Sequence, residues 1–163
     1  MYQVGNLLER GQGCPRDLSA AVEWYRRAAG KDQAHALLRL GLFHRDGRGG
    51  LEKSRTEARR FLERAAFRGL AEAQYQLACL LVDDTEAEAD HSMAEDWFRR
   101  AARQGHPKAC YMAGCLAEIR AYQGDLAARA EVAEWFRTDK ARMIESEPIV
   151  DRALAGMFQT ATG

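Results

Sequence analysis

The sequence predicts an all-α fold: a right-handed α-solenoid of about four helix–turn–helix repeats, followed by a C-terminal capping helix. Three observations predict it. One short theme recurs: "WYRRAAG" begins at Trp24, "FLERAAFRG" at Phe61, "WFRRAARQG" at Trp97 and "WFRTDKARM" at Trp135, at intervals of 37, 36 and 38 residues. A second landmark moves in step: Val4-Gly5, Leu40-Gly41, Leu77-Ala78 and Ala113-Gly114, whose second members lie 36, 37 and 36 residues apart. Third, alanine and arginine are abundant, β-branched residues are scarce, and the only prolines are Pro15, Pro107 and Pro148, a composition that favours helix over strand.

Each repeat divides into a helix A and a helix B. Helix A is clearest in the third repeat, "AEAQYQLACLL" from Ala71 to Leu81. Helix B follows a polar residue placed seven before the recurring aromatic: Asp17, Ser54 and Asp90. These are expected N-caps, whose side-chain oxygens accept the free N–H groups of the first turn. Ser54 and Glu57 also fit a capping box. Asp32, Gly69 and Gly105 stand at matching points after helix B, where a left-handed residue closes a helix.

At 100° per residue, helix A of the second repeat turns Ala36, Leu40, Gly41 and His44 to one side and His35, Arg39, Leu42 and Asp46 to the other. The first set is expected to pack against helix B and the next repeat. The second is expected to line the concave surface, together with Gln3 and Asn6, then Glu72, Gln76, Cys79 and Asp83, then Lys108, Met112, Cys115 and Ile119. Arg39, Leu42, Gln76, Cys79, Met112 and Cys115 are the candidate protein-binding residues. Their mixed character suits a protein or peptide partner.

The pattern resembles the Sel1-like repeat family, a relative of the tetratricopeptide repeat. Repeat one (1–32) carries Val4-Gly5, Gly11, Gly13, Asp17, Ala21, Trp24-Tyr25 and Ala28-Ala29 of the family theme. Repeat two (33–69) carries Ala36, Leu40-Gly41, Gly47, Gly49, Ala58, Phe61, Ala65-Ala66 and Gly69. Repeat three (70–105) carries Ala73, Leu77, Asp90, Ala94, Trp97-Phe98, Ala101-Ala102 and Gly105. Three departures stand out. Met1 aligns with Leu37 and Gln74, so repeat one lacks its opening turn. Repeat three replaces the glycine turn with the acidic "DDTEAEAD", Asp83 to Asp90. A degenerate fourth repeat (106–143) has no G-x-G turn, and its helix A is expected to run to about Tyr122. Residues 144–163 read as the capping helix and tail: Ser146 and Pro148 start it, and Ile149, Val150, Ala153, Leu154, Met157 and Phe158 form its apolar stripe. The resemblance implies a non-enzymatic scaffold or adaptor in bacterial signalling, envelope assembly, secretion or host interaction. It also implies an alternative, an immunity-type inhibitor that neutralises a secreted toxin enzyme. The arginine-over-lysine and alanine bias fits a high-GC bacterial genome.

Charge and motifs weigh against other classes. Lys plus Arg number 24 and Asp plus Glu number 24, for a formal net charge of zero. Nucleic-acid binders usually carry a basic excess. "WFRRAARQG" sets two aromatics beside three arginines, yet its recurrence makes it the second half of a helix B. Trp97, Ala101 and Ala102 are expected to pack, Gly105 to end the helix, and Arg99 and Arg100 to face solvent. "HRDGRGG", His44 to Gly50, lacks the lysine–hydroxyl pair of a phosphate loop and reads as a tight turn needing positive φ. His106, Cys110 and Cys115 lack a fourth metal ligand and do not share one helix face. Four histidines, His35, His44, His91 and His106, stand in no nucleophile motif, and His44 is expected to be a packed, hydrogen-bonded residue. No cofactor, metal, nucleic acid or membrane insertion is expected. Four cysteines without disulfide spacing suit reduced thiols in the cytoplasm, with the periplasm as the alternative if a leader has been removed.

Overall fold

The computed structural model describes residues 1–83, 88–122, 124–128 and 135, without the side chains of 88–91. Its regular elements among these residues are helices: α1 (Tyr2–Arg10), α2 (Leu18–Ala29), α3 (Ala34–Asp46), α4 (Arg55–Phe67), α5 (Ala71–Val82), α6 (Glu88–Arg103) and α7 (Pro107–Tyr122). They fall into two compact units, Met1–Ala73 and Gln74–Gly163.

In the first unit, α1 packs on α2, α2 on α3 and α3 on α4. Helices A and B approach closely because helix A offers a glycine at the crossing. A Cβ on Gly5 would lie 2.7 Å from the Tyr25 ring, and one on Gly41 would lie 2.8 Å from Leu62 Cγ. Facing them, Ala21, Ala28 and Ala29 of α2, and Ala58, Ala65 and Ala66 of α4, are buried. Small residues on both sides bring the backbones together, so the large buried Tyr25 and Leu62 side chains fill the seam.

The expected caps are made at two of the three helix B starts. Asp17 Oδ1 accepts from Ala20 N at 2.9 Å, and Ser54 Oγ accepts from Glu57 N at 3.3 Å. The third differs: α6 begins at Glu88, so Asp90 lies inside the helix and not at its cap. Acidic residues are favoured in a first turn by the helix dipole, which lets the helix extend past the expected boundary. At the other ends the expected left-handed residues are present, with φ of 59° at Asp32, 83° at Gly69 and 78° at Gly105. The G-x-G turns need the same region: Gly11 and Gly47 both have φ 67°, and Gly13 and Gly49 have φ 75° and 63°.

In the second unit, α6 packs on α7. Trp97, Phe98, Ala101 and Ala102 of α6 are buried, as the repeated theme requires. α7 ends at Tyr122, where the sequence places the end of the fourth helix A. The capping helix expected over 144–163 lies outside the described residues. So does the helix B expected around Trp135, apart from Trp135 itself, which is buried.

The Gly41 crossing is testable. Gly41→Val should destabilise the chain by about 2 kcal/mol, because a branched side chain overpacks against Leu62. In urea unfolding, Gly41→Ala combined with Leu62→Ala should cost less than the two single changes added, by about 1 kcal/mol, because Leu62→Ala vacates the space the new methyl needs.

Candidate functional site

The surface expected to meet a partner is built from the outward positions of the A helices, which the structure distributes unevenly. Leu42 and Gln76 are half-buried and keep accessible surface. Cys79, Met112 and Cys115 are buried, which corrects their expected place on an open surface. The reason is visible along α7, where Met112 through Ala117 are buried without interruption. An A helix apolar all round is covered all round, so the two-sided division read from α3 does not carry over. α3 itself buries Leu37, Leu38 and Phe43 in addition to the expected Ala36, Leu40 and Gly41.

Arg39 has a different role from the one expected. Its Nε donates to Glu9 Oε2 at 2.9 Å and its Nη2 pairs with Glu9 Oε1. The Tyr25 hydroxyl donates to the same Oε2 at 2.7 Å. Glu9 is only 7% exposed, whereas the Arg39 side chain is 29% exposed. One carboxylate thus ties α1, α2 and α3 together beneath the surface. Glu9 stands four residues after the buried Gly5, so its register placed it on the inner face of α1. A charge on a buried face needs a partner, and that was the signal in the sequence.

The electrostatics follow from this geometry. Burial, then the hydrogen bond and charge of Glu9, raise the Tyr25 pKa above the ordinary tyrosine range against the opposing effect of Arg39. Burial alone lowers that of Arg39, but the hydrogen bond and charge of Glu9 outweigh it and raise it. Burial raises the Cys115 thiol, which keeps it protonated and unreactive.

Around this lock, α1 exposes Gln3 and Arg10, and α3 exposes His35 and Asp46. The His35 ring lies 5.5 Å from that of Tyr2. A second tie joins the end of α2 to α4: Asp32 pairs with Arg64 Nη2 at 3.0 Å and with Arg68. On the B helices, Arg27 lies over the Trp24 ring at 5.0 Å and Arg100 over Trp97 at 4.5 Å. The arginine of "WFRRAARQG" that follows its tryptophan by three thus covers that ring, as its counterpart does in "WYRRAAG". Arg99 pairs with Glu95 at 2.7 Å, and Arg120 of α7 meets the same oxygen at 3.0 Å.

The histidines and cysteines have structural roles. His106 Nδ1 accepts from Ala109 N at 3.2 Å, capping α7, and its ring stacks on Tyr75 at 4.7 Å. Cys110 Sγ donates to the Ala102 carbonyl at 3.4 Å. His44 stacks on Phe61 at 5.5 Å, but its buried Nδ1 has no hydrogen-bond partner among the described residues, against the expectation. Cys14, Cys79, Cys110 and Cys115 form no disulfide. No cluster of three metal-ligating side chains occurs among the described residues, and no described helix is long and apolar enough to cross a membrane.

Recurring helix pairs with matched caps and matched close approaches define a tandem-repeat α-solenoid. The chain belongs to the Sel1 repeat family, whose model matches residues 1–32, 34–69 and 71–106. Among solved structures, it is similar to a protective antigen of uropathogenic Escherichia coli displaying an SLR fold, with TM-score 0.66 and 24% identity over 99% of this chain and 37% of that one. It is also similar to a Sel1 repeat protein from Oxalobacter formigenes, with TM-score 0.65 and 25% identity over 99% of this chain and 71% of that one. Among curated proteins, it is 38% identical over 109 residues to chitin synthase regulatory factor 3 of Schizosaccharomyces pombe, covering 66% of this chain and 12% of that protein. It is 32% identical over 110 residues to chitin synthase regulator SKT5 of Malassezia restricta, covering 66% of this chain and 8% of that protein. The chain therefore spans about an eighth or less of the curated relatives it matches. These relatives are fungal and the solved structures bacterial, so the likeness lends no support to a bacterial origin in particular.

Two outcomes follow from the Glu9 lock. Arg39→Ala should lower unfolding stability by about 3 kcal/mol, since it strands a buried carboxylate without its cation; chemical denaturation measures this. Tyr25 contributes in the alkaline range. Its folded pKa is raised, so its contribution is complete below the unfolded value of about 10 and falls as pH rises past it, where the unfolded chain holds fewer protons than the folded one. Denaturation midpoints measured from about pH 8 to about pH 11 should decline for the parent and decline less for Tyr25→Phe.

Proposed function

We propose that the chain is a non-catalytic adaptor, which docks a protein or peptide on the outward face of its A helices. Sel1 repeats are in general protein-interaction scaffolds, and two curated relatives bear the names of regulators, not of catalysts. The observation that carries the reading is the Glu9–Arg39–Tyr25 lock: it fixes three helices beneath a partly exposed guanidinium. On the same two A helices, Gln3 of α1 and His35, Leu42 and Asp46 of α3 keep accessible surface, the last three at helical spacing from Arg39. A surface fixed in advance loses little conformational freedom on binding. Among the six positions first considered, Leu42 is the best single probe, because it is apolar, partly accessible and outside the lock. Gln76 is the corresponding probe in the second unit. Four cysteines that form no disulfide suit a reducing compartment, which for this reading is the cytoplasm.

Affinity purification with mass spectrometry tests this reading. The parent chain should recover a stoichiometric protein partner. Leu42→Asp should weaken that binding about tenfold or more, about 1.4 kcal/mol, while leaving the unfolding midpoint nearly unchanged. A partner indifferent to Leu42→Asp and to Gln76→Lys would overturn the face assignment. Recovery of one secreted enzyme, silenced one-to-one, would place the chain with the toxin inhibitors instead.

A further inference from the structure

Repeat two departs from its neighbours on the solvent side of α4. At 100° per residue, Thr56, Arg60, Arg64 and Phe67 fall on one stripe, opposite the buried Ala58, Leu62, Ala65 and Ala66. Phe67 is 74% exposed, and the Arg60 and Arg64 side chains are 69% and 43% exposed. The repeat spacing makes Glu23, Arg27 and Gly30 the counterparts of Arg60, Arg64 and Phe67 in repeat one, and Asp96, Arg100 and Arg103 those in repeat three. A helix B is thus built elsewhere in the chain without a cation at the first position or a ring at the last. Both are particular to α4 among these three helices.

The electrostatics differ with the sequence. In the other two helices the first position is an acid paired one turn on, Glu23 with Arg26 at 3.0 Å and Asp96 with Arg99 at 3.9 Å. Their middle arginines, Arg27 and Arg100, lie over the rings of Trp24 and Trp97. In α4 the tryptophan position holds Phe61, which stacks on His44, and Arg64 reaches Asp32 instead. Arg68 takes the same carboxylate, so two guanidiniums share one negative charge. Arg60 meets Glu57 at 3.8 Å, a loose and exposed pair that holds its cation weakly. From Arg55 to Arg68 the chain carries five arginines against two glutamates. The first unit leans the same way, with 14 Lys and Arg against 9 Asp and Glu, whereas the second has 10 against 15.

We infer that this face of α4 docks an acidic peptide segment that carries an aromatic or other large apolar side chain. The segment's carboxylates pair with Arg60 and Arg64, whose planar guanidiniums accept a carboxylate in two-pronged geometry. Its apolar side chain covers the Phe67 ring and removes it from water. Arginine and aromatic side chains in one patch are the residues that carry most of the energy in protein interfaces. The same pairing of ring and cation could stack a base and hold a phosphate, but Glu57 and Glu63 stand on either side of the stripe. They oppose a continuous phosphate backbone, whose binding rests on many cations in succession. A peptide places its few carboxylates where the arginines are. This surface is on a helix B and separate from the A-helix face proposed above, so either can fail without the other.

The test uses the full chain and a short fluorescein-labelled peptide of aspartate and glutamate with one central phenylalanine, titrated by fluorescence anisotropy. The parent chain should bind it. The same peptide with serine for phenylalanine, or with asparagine and glutamine for the acids, should bind about tenfold more weakly or worse. Arg60→Glu restores the acid of the other repeats, so the fold accepts it; it should weaken binding about tenfold or more with an unchanged unfolding midpoint, and Phe67→Ser should do the same. Arg26→Glu makes an equal charge change on α2 and should weaken binding by less than about twofold. Leu42→Asp should leave this binding intact. No binding by the parent, equal losses for Arg60→Glu and Arg26→Glu, or binding indifferent to Phe67→Ser overturns the inference. A labelled oligothymidylate that binds more tightly than the peptide and is lost with Arg60→Glu would assign the face to nucleic acid and overturn it as well.

Discussion

The distance between helix A and helix B within a repeat controls the rest of this structure. At Gly5 and Gly41 a single Cβ would collide with the facing Tyr25 and Leu62. Close approach lets one large side chain per pair fill the seam and leaves helix B narrow enough, with its alanines, to take the next helix A on its other side. The short turns depend on the same spacing. Asp17 N donates to Leu8 O, and Ser54 N donates to His44 O, so each A–B loop is fastened to the last turn of its helix A. Widening one pair would lengthen these bonds and move the next repeat's Phe43 away from Tyr25.

On that apolar frame the first unit carries a charged fastening. Burying Glu9 costs desolvation, and its pairing with Arg39 and Tyr25 offsets that cost through three hydrogen bonds. An apolar pair at the same positions could be as stable but would tolerate slippage. A bidentate guanidinium–carboxylate pair has one good geometry, and it sets α3 against α1 in one register. Because Arg39 reaches that carboxylate from the surface, the element that sets the register also borders the surface proposed to bind. On the proposed reading, structure and recognition would meet at one side chain, which makes Arg39 a poor probe of binding and Leu42 a better one.

The architecture was legible in the sequence because repetition averages over local accidents. The period, two of three helix B caps, the left-handed residues after helix B and the end of α7 at Tyr122 can all be read from the residues, since each rests on backbone geometry that adjacent chemistry reports. The outward face was only partly legible. Division of α3 into two sides is a statement about one helix, whereas burial depends on neighbours distant in sequence. Met112, Cys79 and Cys115 were placed outward by phase and are inward by packing. Glu9 was overlooked for the complementary reason: a carboxylate is read as surface unless its phase is compared with Gly5. His106 was set aside as a metal ligand from the sequence, but its stacking was not legible there, because that depends on the Tyr75 ring brought from α5.

Comparing the repeats separates what builds the scaffold from what adapts it. The crossing position is Gly5, Gly41, Ala78 and Gly114, small every time, since the seam cannot accept more. The position two residues earlier is Gln3, Arg39, Gln76 and Met112, and there the environment changes with the residue: exposed at Gln3, half-buried at Arg39 and Gln76, buried at Met112. Variation at that position is therefore not free surface variation. Polarity tracks accessibility from one repeat to the next, and in the second repeat the side chain is engaged by the carboxylate of the first. The residue at that position changes from repeat to repeat, while the crossing position two residues later stays small. On the proposed reading, specificity would rest on the few A-helix side chains that packing has left partly accessible, because those are the positions where the repeats differ.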